Sequence, residues 1–243
     1  MEGVYRFAEK KVLVRSLHAA VHDYCADWRT EEAPDFTVEI TPEILERERG
    51  RAAASDAALG RPVHRWPEGY LEELAVYRAV CERLPFYDTI LLHGSALCAD
   101  GEGYLFTAPS GTGKSTHARL WREAFGERVV MINDDKPLLL VRPEGVTVYG
   151  TPFRGKHGLG GDRSAPLRAI AVLSRGTDNA IRPLSSGDAM GALLRQVYRP
   201  ADREAMAATL ALLQTLCRTV RFYALSCNMD PSAARVAFEG MKG

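Results

Sequence analysis

The feature that most constrains this chain is an apolar run, Gly103 to Thr107, that passes straight into Ala108-Pro-Ser-Gly-Thr-Gly-Lys-Ser115 and then into a helical pattern, Lys114 to Phe125. A strand, a glycine-rich turn and a helix in immediate succession predict an α/β fold. The make-up of the turn has a physical reason. Gly111 and Gly113 let the backbone turn its N–H groups onto an oxyanion, in conformations that a Cβ would hinder. The helix starting near Lys114 brings the positive end of its dipole to the same point. The expected cradle is thus Pro109, Ser110, Gly111, Thr112, Gly113, Lys114, Ser115 and Thr116. In it Lys114 neutralises β/γ-phosphate charge and the Ser115 hydroxyl can ligate Mg²⁺. The run fits the Walker A pattern, with Ala108 at its first position, and predicts a bound nucleoside triphosphate, ATP or GTP, with magnesium.

Val129 to Ile132 reads as the next strand, ending at Asn133-Asp134-Asp135. A βαβ unit would put both carboxylates at the C-terminal edge of a strand beside the one that feeds the loop, the usual ligand side of such sheets. One can hold Mg²⁺ with Ser115, and the other can accept the proton of an attacking hydroxyl. Neighbouring side chains in a regular strand face opposite ways, so two separate roles suit them better than joint chelation. The plainer reading is a solvated turn. His93-Gly94 lies in the preceding strand. A lone His there is as a rule a satisfied core residue; beside the loop it can also pair with Asp135 and tune its basicity. Between Gly150 and Gly161, Arg154, Lys156 and His157 sit among glycines. Either the loop is flexible and solvated, or it brings a cation to the γ-phosphate. Arg154 is the expected cation, because its fork grips phosphate bidentately.

The rest of the chain divides at about residue 85. Residues 1–85 predict a small N-terminal α+β extension: short strands at Val12 to Val14 and Phe36 to Ile40, a mobile or loosely packed connection from Glu43 to Arg61, and a helix from Pro67 that Pro85 stops. Residues 86–243 predict the nucleotide-binding domain, a mixed sheet with flanking helices. Its strands are Thr89 to Leu97 and Gly103 to Thr107 around an Asp100-Gly101 turn, a hairpin at Leu138 to Val141 and Val146 to Tyr149, Ala169 to Ser174, and Val220 to Leu225. Helices follow at about Ser186 to Tyr198, Asp202 to Cys217 and from Asp230-Pro231. The 31 basic residues balance the 31 acidic ones, so the charge gives no pointer to nucleic acid or an anionic membrane. No apolar run approaches the roughly 20 residues of a membrane span. The five cysteines are dispersed, without zinc-ligand spacing. The N-terminus shows no signal-peptide core. A soluble, cytoplasmic protein is expected, and homo-oligomerisation is left open.

In order and spacing, His93-Gly94, Ala108 to Ser115 and Asn133-Asp134-Asp135 resemble the catalytic domain of HPr serine kinase/phosphorylase, whose nucleotide fold is shared with ATP-dependent phosphoenolpyruvate carboxykinase. The resemblance is clear over about Thr89 to Val141. It implies a P-loop kinase fold of that type, Lys114 as phosphate ligand, and Ser115 with Asp134 as Mg²⁺ ligands. It also implies Asp135 as the base that deprotonates a serine hydroxyl, with His93 as its partner; spacing alone does not say which aspartate is the base. The short N-terminal extension departs from that family. So does Gly158-Leu-Gly-Gly161, a poor match to the glycine-rich segment tied to the phosphorylase reaction. The expected function is ATP/Mg²⁺-dependent phosphoryl transfer to a serine or threonine of a protein or peptide. The alternatives are a metabolite hydroxyl as acceptor and a nucleotide-sensing module.

Overall fold

The computed structural model describes residues 1–242, which divide into two compact units, Met1–Arg83 and the part from Leu84 onward. In the first, β1 (Glu2–Phe7) pairs antiparallel with β2 (Lys10–Arg15), and β2 pairs parallel with β3 (Phe36–Glu39). Alternation along these strands buries Tyr5, Phe7, Val12, Val14, Phe36 and Val38. Three helices complete the unit, α1 (Ala20–Tyr24), α2 (Pro42–Ala58) and α3 (Glu68–Arg83).

Helix α2 corrects the expected loose connection at Glu43 to Arg61. Thr41 Oγ1 accepts from Ile44 N at its start, and Pro42 opens the first turn. The segment has few apolar residues, so no hydrophobic stripe announces it. Its buried face is ionic instead: Glu48 is 2% exposed and accepts from Arg78 Nε at 2.9 and 3.0 Å. Removing one partner of such a buried pair is costly, because the other is left uncompensated.

The second unit is built on a mixed nine-stranded sheet. Its strands are β4 (Thr89–Leu91), β5 (Gly94–Ala99), β6 (Glu102–Thr107), β7 (Val129–Asp135), β8 (Leu138–Arg142), β9 (Gly145–Tyr149), β10 (Ser164–Arg175), β11 (Ala180–Pro183) and β12 (Arg221–Cys227). The order β4-β8-β9-β10-β6-β5-β7 curls because β10 serves two partners on one side. Its start pairs with β9, and after a bulge at Leu167/Ala169 its remainder pairs with β12. The expected single strand Thr89 to Leu97 is two strands: β4 pairs with β8, while β5 pairs with β6 and β7. The break falls at Leu92-His93, whose backbone bonds to the segment after α5 (Ser186–Leu194): Leu92 bridges Val197, and His93 N donates to Gln196 O. β5 lies between β6 and β7, so the acidic strand is not the direct neighbour of the strand that feeds the loop, as had been expected. A βαβ pattern alone does not reveal an antiparallel strand inserted from upstream.

Residues of β6 alternate between two cores. Tyr104 and Phe106 join α4 (Lys114–Phe125) and α7 (Ser232–Lys242) on one face, while Leu105 joins α5 and α6 (Arg203–Thr219) on the other. Strands β6, β10 and β12 run parallel, and β7 points the same way through its antiparallel pairing with β5. Their C-terminal ends therefore share one edge, where the start of β5 also lies. Asp100 and Gly101 both take positive φ in the tight β5–β6 turn, as Asp-Gly predicted. Among the described residues no helix is long and apolar enough to cross a membrane.

Candidate active site

Three segments meet at that edge around a cavity of about 460 Å³. From the loop after β6 and the first turn of α4 come Ser110, Gly111, Gly113, Lys114, Ser115 and Thr116; from just before β5, His93, and from within it, Ser95; from β7, Asp134 and Asp135. Gly155, Lys156 and His157 of the loop after β9 close the lining. Of the expected cradle, Pro109 stays outside, and Thr112 faces a second cavity on the other side of the loop.

Gly111 and Gly113 hold φ of 79° and 120°, and nothing lies within 4 Å of where a Cβ would stand. The loop is thus strained for any other residue yet open above its backbone. Gly113 caps α4 without a side-chain bond, so the first-turn N–H groups are left to a ligand or water. Lys114 is 8% exposed, and its Nζ donates to Ala108 O at 2.9 Å and Pro109 O at 3.3 Å. Burial pulls its pKa down, and the charges of Asp135 and Asp134 oppose this. Arg175, at the end of β10, donates to Gly111 O at 2.6 Å and to Thr112 O at 3.4 Å. Because C=O and N–H point opposite ways across a peptide plane, this grip turns the Gly113 N–H away from Arg175.

Both aspartates line the one cavity, although successive strand side chains were expected to diverge. The strand stops being regular there: Asn133 Oδ1 accepts from Asp135 N at 2.9 Å and Lys136 N at 2.7 Å, turning the chain at the acidic pair. Asn133 is fully buried, and its Nδ2 donates to Thr151 O at 3.1 Å and Thr151 Oγ1 at 3.0 Å. The end of β7 is thereby tied to the loop that follows β9. The two carboxylates still differ in surroundings. Asp134 is 6% exposed and accepts from Ser95 Oγ, whereas Asp135 pairs with Lys136 Nζ at 2.6 Å and faces His93 Nε2 at 3.4 Å.

His93 Nδ1 lies 3.1 Å from Gln196 Oε1. With that oxygen accepting, the proton sits on Nδ1, and Nε2 turns a lone pair toward Asp135. Burial first, then the Lys114 charge, pull the His93 pKa down, while Asp135 opposes them. The His93–Asp135 contact is therefore one of a neutral imidazole, not an ion pair. Gly94 is required where β5 passes β6, since a Cβ would stand 2.8 Å from Phe106 O.

The basic loop differs from expectation in one respect. Gly155 takes φ of 66° with its Cα against the acidic pair, where a Cβ would lie 3.0 Å from Asp135 Cβ. The reversal brings Lys156 and His157 to the cavity, while the Arg154 guanidinium donates to Gly160 O at 3.2 Å within its own loop. Ser95, Lys136, Gln196, Thr151 and Arg175 were not foreseen. Ser95 and Lys136 adjoin noted motifs and Thr151 lies within the noted basic loop; Gln196 and Arg175 join the site only through sheet topology.

No family model and no curated protein matches the chain. Among solved structures it is similar to the HPr(Ser) kinase/phosphatase from Coxiella burnetii, with 12% identity over 63% of this chain and 99% of that one, at a TM-score of 0.33. That identity and score carry no residue role across.

Proposed function

We propose that this cavity binds a nucleoside triphosphate with magnesium and transfers its terminal phosphoryl group to a hydroxyl. One observation carries the reading: Lys114, Ser115 and the open-capped glycine loop face Asp134 and Asp135 across a single cavity of about 460 Å³. A loop for phosphate and a carboxylate within reach of an incoming hydroxyl are what phosphoryl transfer asks of a protein.

The residues fit the absent groups. The glycine backbone leaves room that a Cβ would fill, and the first turn of α4 has no side-chain cap. Mg²⁺ is bound through one or two carboxylates plus substrate phosphates, and Asp134 with the Ser115 hydroxyl lines the cavity as such a set. Ser115 and Asp134 would hold the ion, which would screen the phosphate charge during transfer. Ser95 fixes one oxygen of Asp134 and leaves the other for the ion. Asp135 accepts the proton of the acceptor hydroxyl at a carboxylate oxygen, with Lys136 Nζ holding the carboxylate in place. Lys114 offers its charge to the phosphate oxygens, and Lys156 closes the cavity with a second cation. The sequence resemblance puts a serine or threonine of a protein or peptide first as acceptor.

Mg·ATP at a hundredfold excess over Kd should stabilise the second unit by about 2.7 kcal/mol, roughly 5–10 °C in Tm. Lys114→Ala should abolish that shift. Equal shifts in both proteins would remove the nucleotide assignment.

A further inference from the structure

In the first unit, the stretch that joins α2 to α3 leaves apolar side chains open to solvent. Leu59, Val63 and Tyr70 are 61%, 63% and 39% exposed, and Trp66 of the same stretch is half-buried. One such residue needs no explanation, whereas a cluster of them marks an interaction surface. Val63 and Trp66 line a cavity of about 220 Å³ with Ala53, His64, Arg65 and Leu71. The stretch has no helix or strand, yet it is held in shape. The buried Asp56 carboxylate accepts from His64 N at 2.9 Å, and Asp56 O accepts from Arg61 N at 2.9 Å. The Trp66 ring stands edge-on to His64 at 4.4 Å and tilted on Tyr70 at 4.9 Å. A ligand therefore meets a surface already ordered, which lowers the entropy cost of binding.

Size and charge narrow the occupant. Small-molecule sites span about 300–1,000 Å³, so this smaller hollow takes one bulky side chain rather than a whole ligand. No Asp or Glu stands between Asp56 and Glu68, whereas Arg61 and Arg65 do. Arg49, which also lines the hollow, is already matched, donating to Glu46 at 3.1 Å and to Glu68 at 2.8 Å. Among the described residues, neither Arg61 nor Arg65 donates a side-chain hydrogen bond or closes an ion pair. Tryptophan and arginine are the side chains that most often anchor a protein partner. A contact with a bilayer sinks a protruding apolar face into the acyl boundary, whereas Ala53 and Leu71 here line a concavity.

We propose that this hollow is a docking site for an extended acidic peptide, which seats one bulky apolar side chain against Val63, Trp66 and Leu71 and sets its carboxylates against Arg61 and Arg65. Burial of the apolar side chain supplies the affinity, and the two arginines supply the preference for negative charge and speed the encounter. The inference does not depend on the nucleotide reading above.

The test pans a phage-displayed library of short random peptides on the full chain and titrates the enriched peptides by tryptophan fluorescence. The readout is local, because Trp28 and Trp121 are buried and Trp66 alone of the three tryptophans meets solvent. Enriched peptides should carry a leucine, isoleucine or phenylalanine beside aspartate or glutamate, blue-shift the emission and shield it from acrylamide. Serine in place of the apolar residue should weaken binding about tenfold or more. Val63→Glu, at an exposed position, should do the same, and Arg61→Glu with Arg65→Glu should turn the selection toward basic peptides. No enrichment, peptides without an acidic bias, or binding untouched by Val63→Glu overturns the proposal. A blue shift on phosphatidylcholine/phosphatidylserine vesicles, with no peptide bound, overturns it in favour of a membrane contact. A dimer in sedimentation that Val63→Glu dissociates, again with no peptide bound, overturns it in favour of a second copy of the chain.

Discussion

Asn133→Ala is the substitution that most directly couples the fold to the site. The side chain is fully buried and makes four hydrogen bonds: two donated to Thr151 at 3.1 and 3.0 Å, two accepted from Asp135 N and Lys136 N at 2.9 and 2.7 Å. At about 1 kcal/mol net for each, the sum is about 4 kcal/mol. Water can reach the half-buried turn at Asp135 and Lys136 and recover part of it, so about 3 kcal/mol is expected. Thr151→Val keeps shape but loses the Oγ1 bonds to Asn133 and to Lys136 O at 2.9 Å. It should cost about 2 kcal/mol, and the double variant about 1 kcal/mol less than the sum, because one bond is shared. Chemical denaturation gives the totals, and amide exchange at Asp135 and Lys136 gives the local loosening. Phosphoryl transfer should fall in parallel, since the same amide sets the backbone of the acidic pair. A cost under about 0.5 kcal/mol for Asn133→Ala would refute the view that this network holds the site together.

Stability should also depend on pH through His117. Its folded pKa, about 4, lies below its ordinary 6.5, so the unfolded chain takes the proton first as pH falls. The contribution is complete above about 6.5 and is lost toward 4, amounting to about 3 kcal/mol; His117→Phe should flatten this limb in denaturation at pH 4.5 and 7.5. In the basic loop, Lys156→Ala should lower kcat by about 10²-fold with little change in the KM for ATP, as for a cation that acts on developing charge. Arg154→Ala, which removes a bond to Gly160 O within its own loop, should lose less; steady-state kinetics that rank the two the other way would return the role to Arg154.

The sequence carried the glycine loop, α4 and the Asp-Gly hairpin because each is a local matter: turn chemistry, 3.6-residue spacing and two positive-φ positions in a row. The acidic pair was legible for the same reason, as the end of an apolar run. What stayed hidden was non-local. Nothing near His93 tells that Gln196 will bond both its backbone and its ring, or that β5 will slide between the loop strand and the acidic strand. Arg175 reads as an ordinary charge at a strand end until β10 is laid beside β6. Helix α2 escaped notice because an ion pair around Glu48, and no apolar stripe, anchors it. In the basic loop the sequence does not tell which cation reaches the cavity, since that depends on how Gly155 reverses the chain between Arg154 and Lys156.

The measurement that bears most directly on the central claim is transfer of label from γ-labelled ATP by wild type and Asp135→Asn, incubated with cell extract and separated into macromolecular and small-molecule fractions. Wild type should place label on a hydroxyl acceptor, with the macromolecular fraction expected to carry it. Asp135→Asn should still bind Mg·ATP but transfer about 10²-fold more slowly, the scale for loss of a general base. Label in neither fraction with wild type, or transfer by Asp135→Asn at the wild-type rate, would contradict the account.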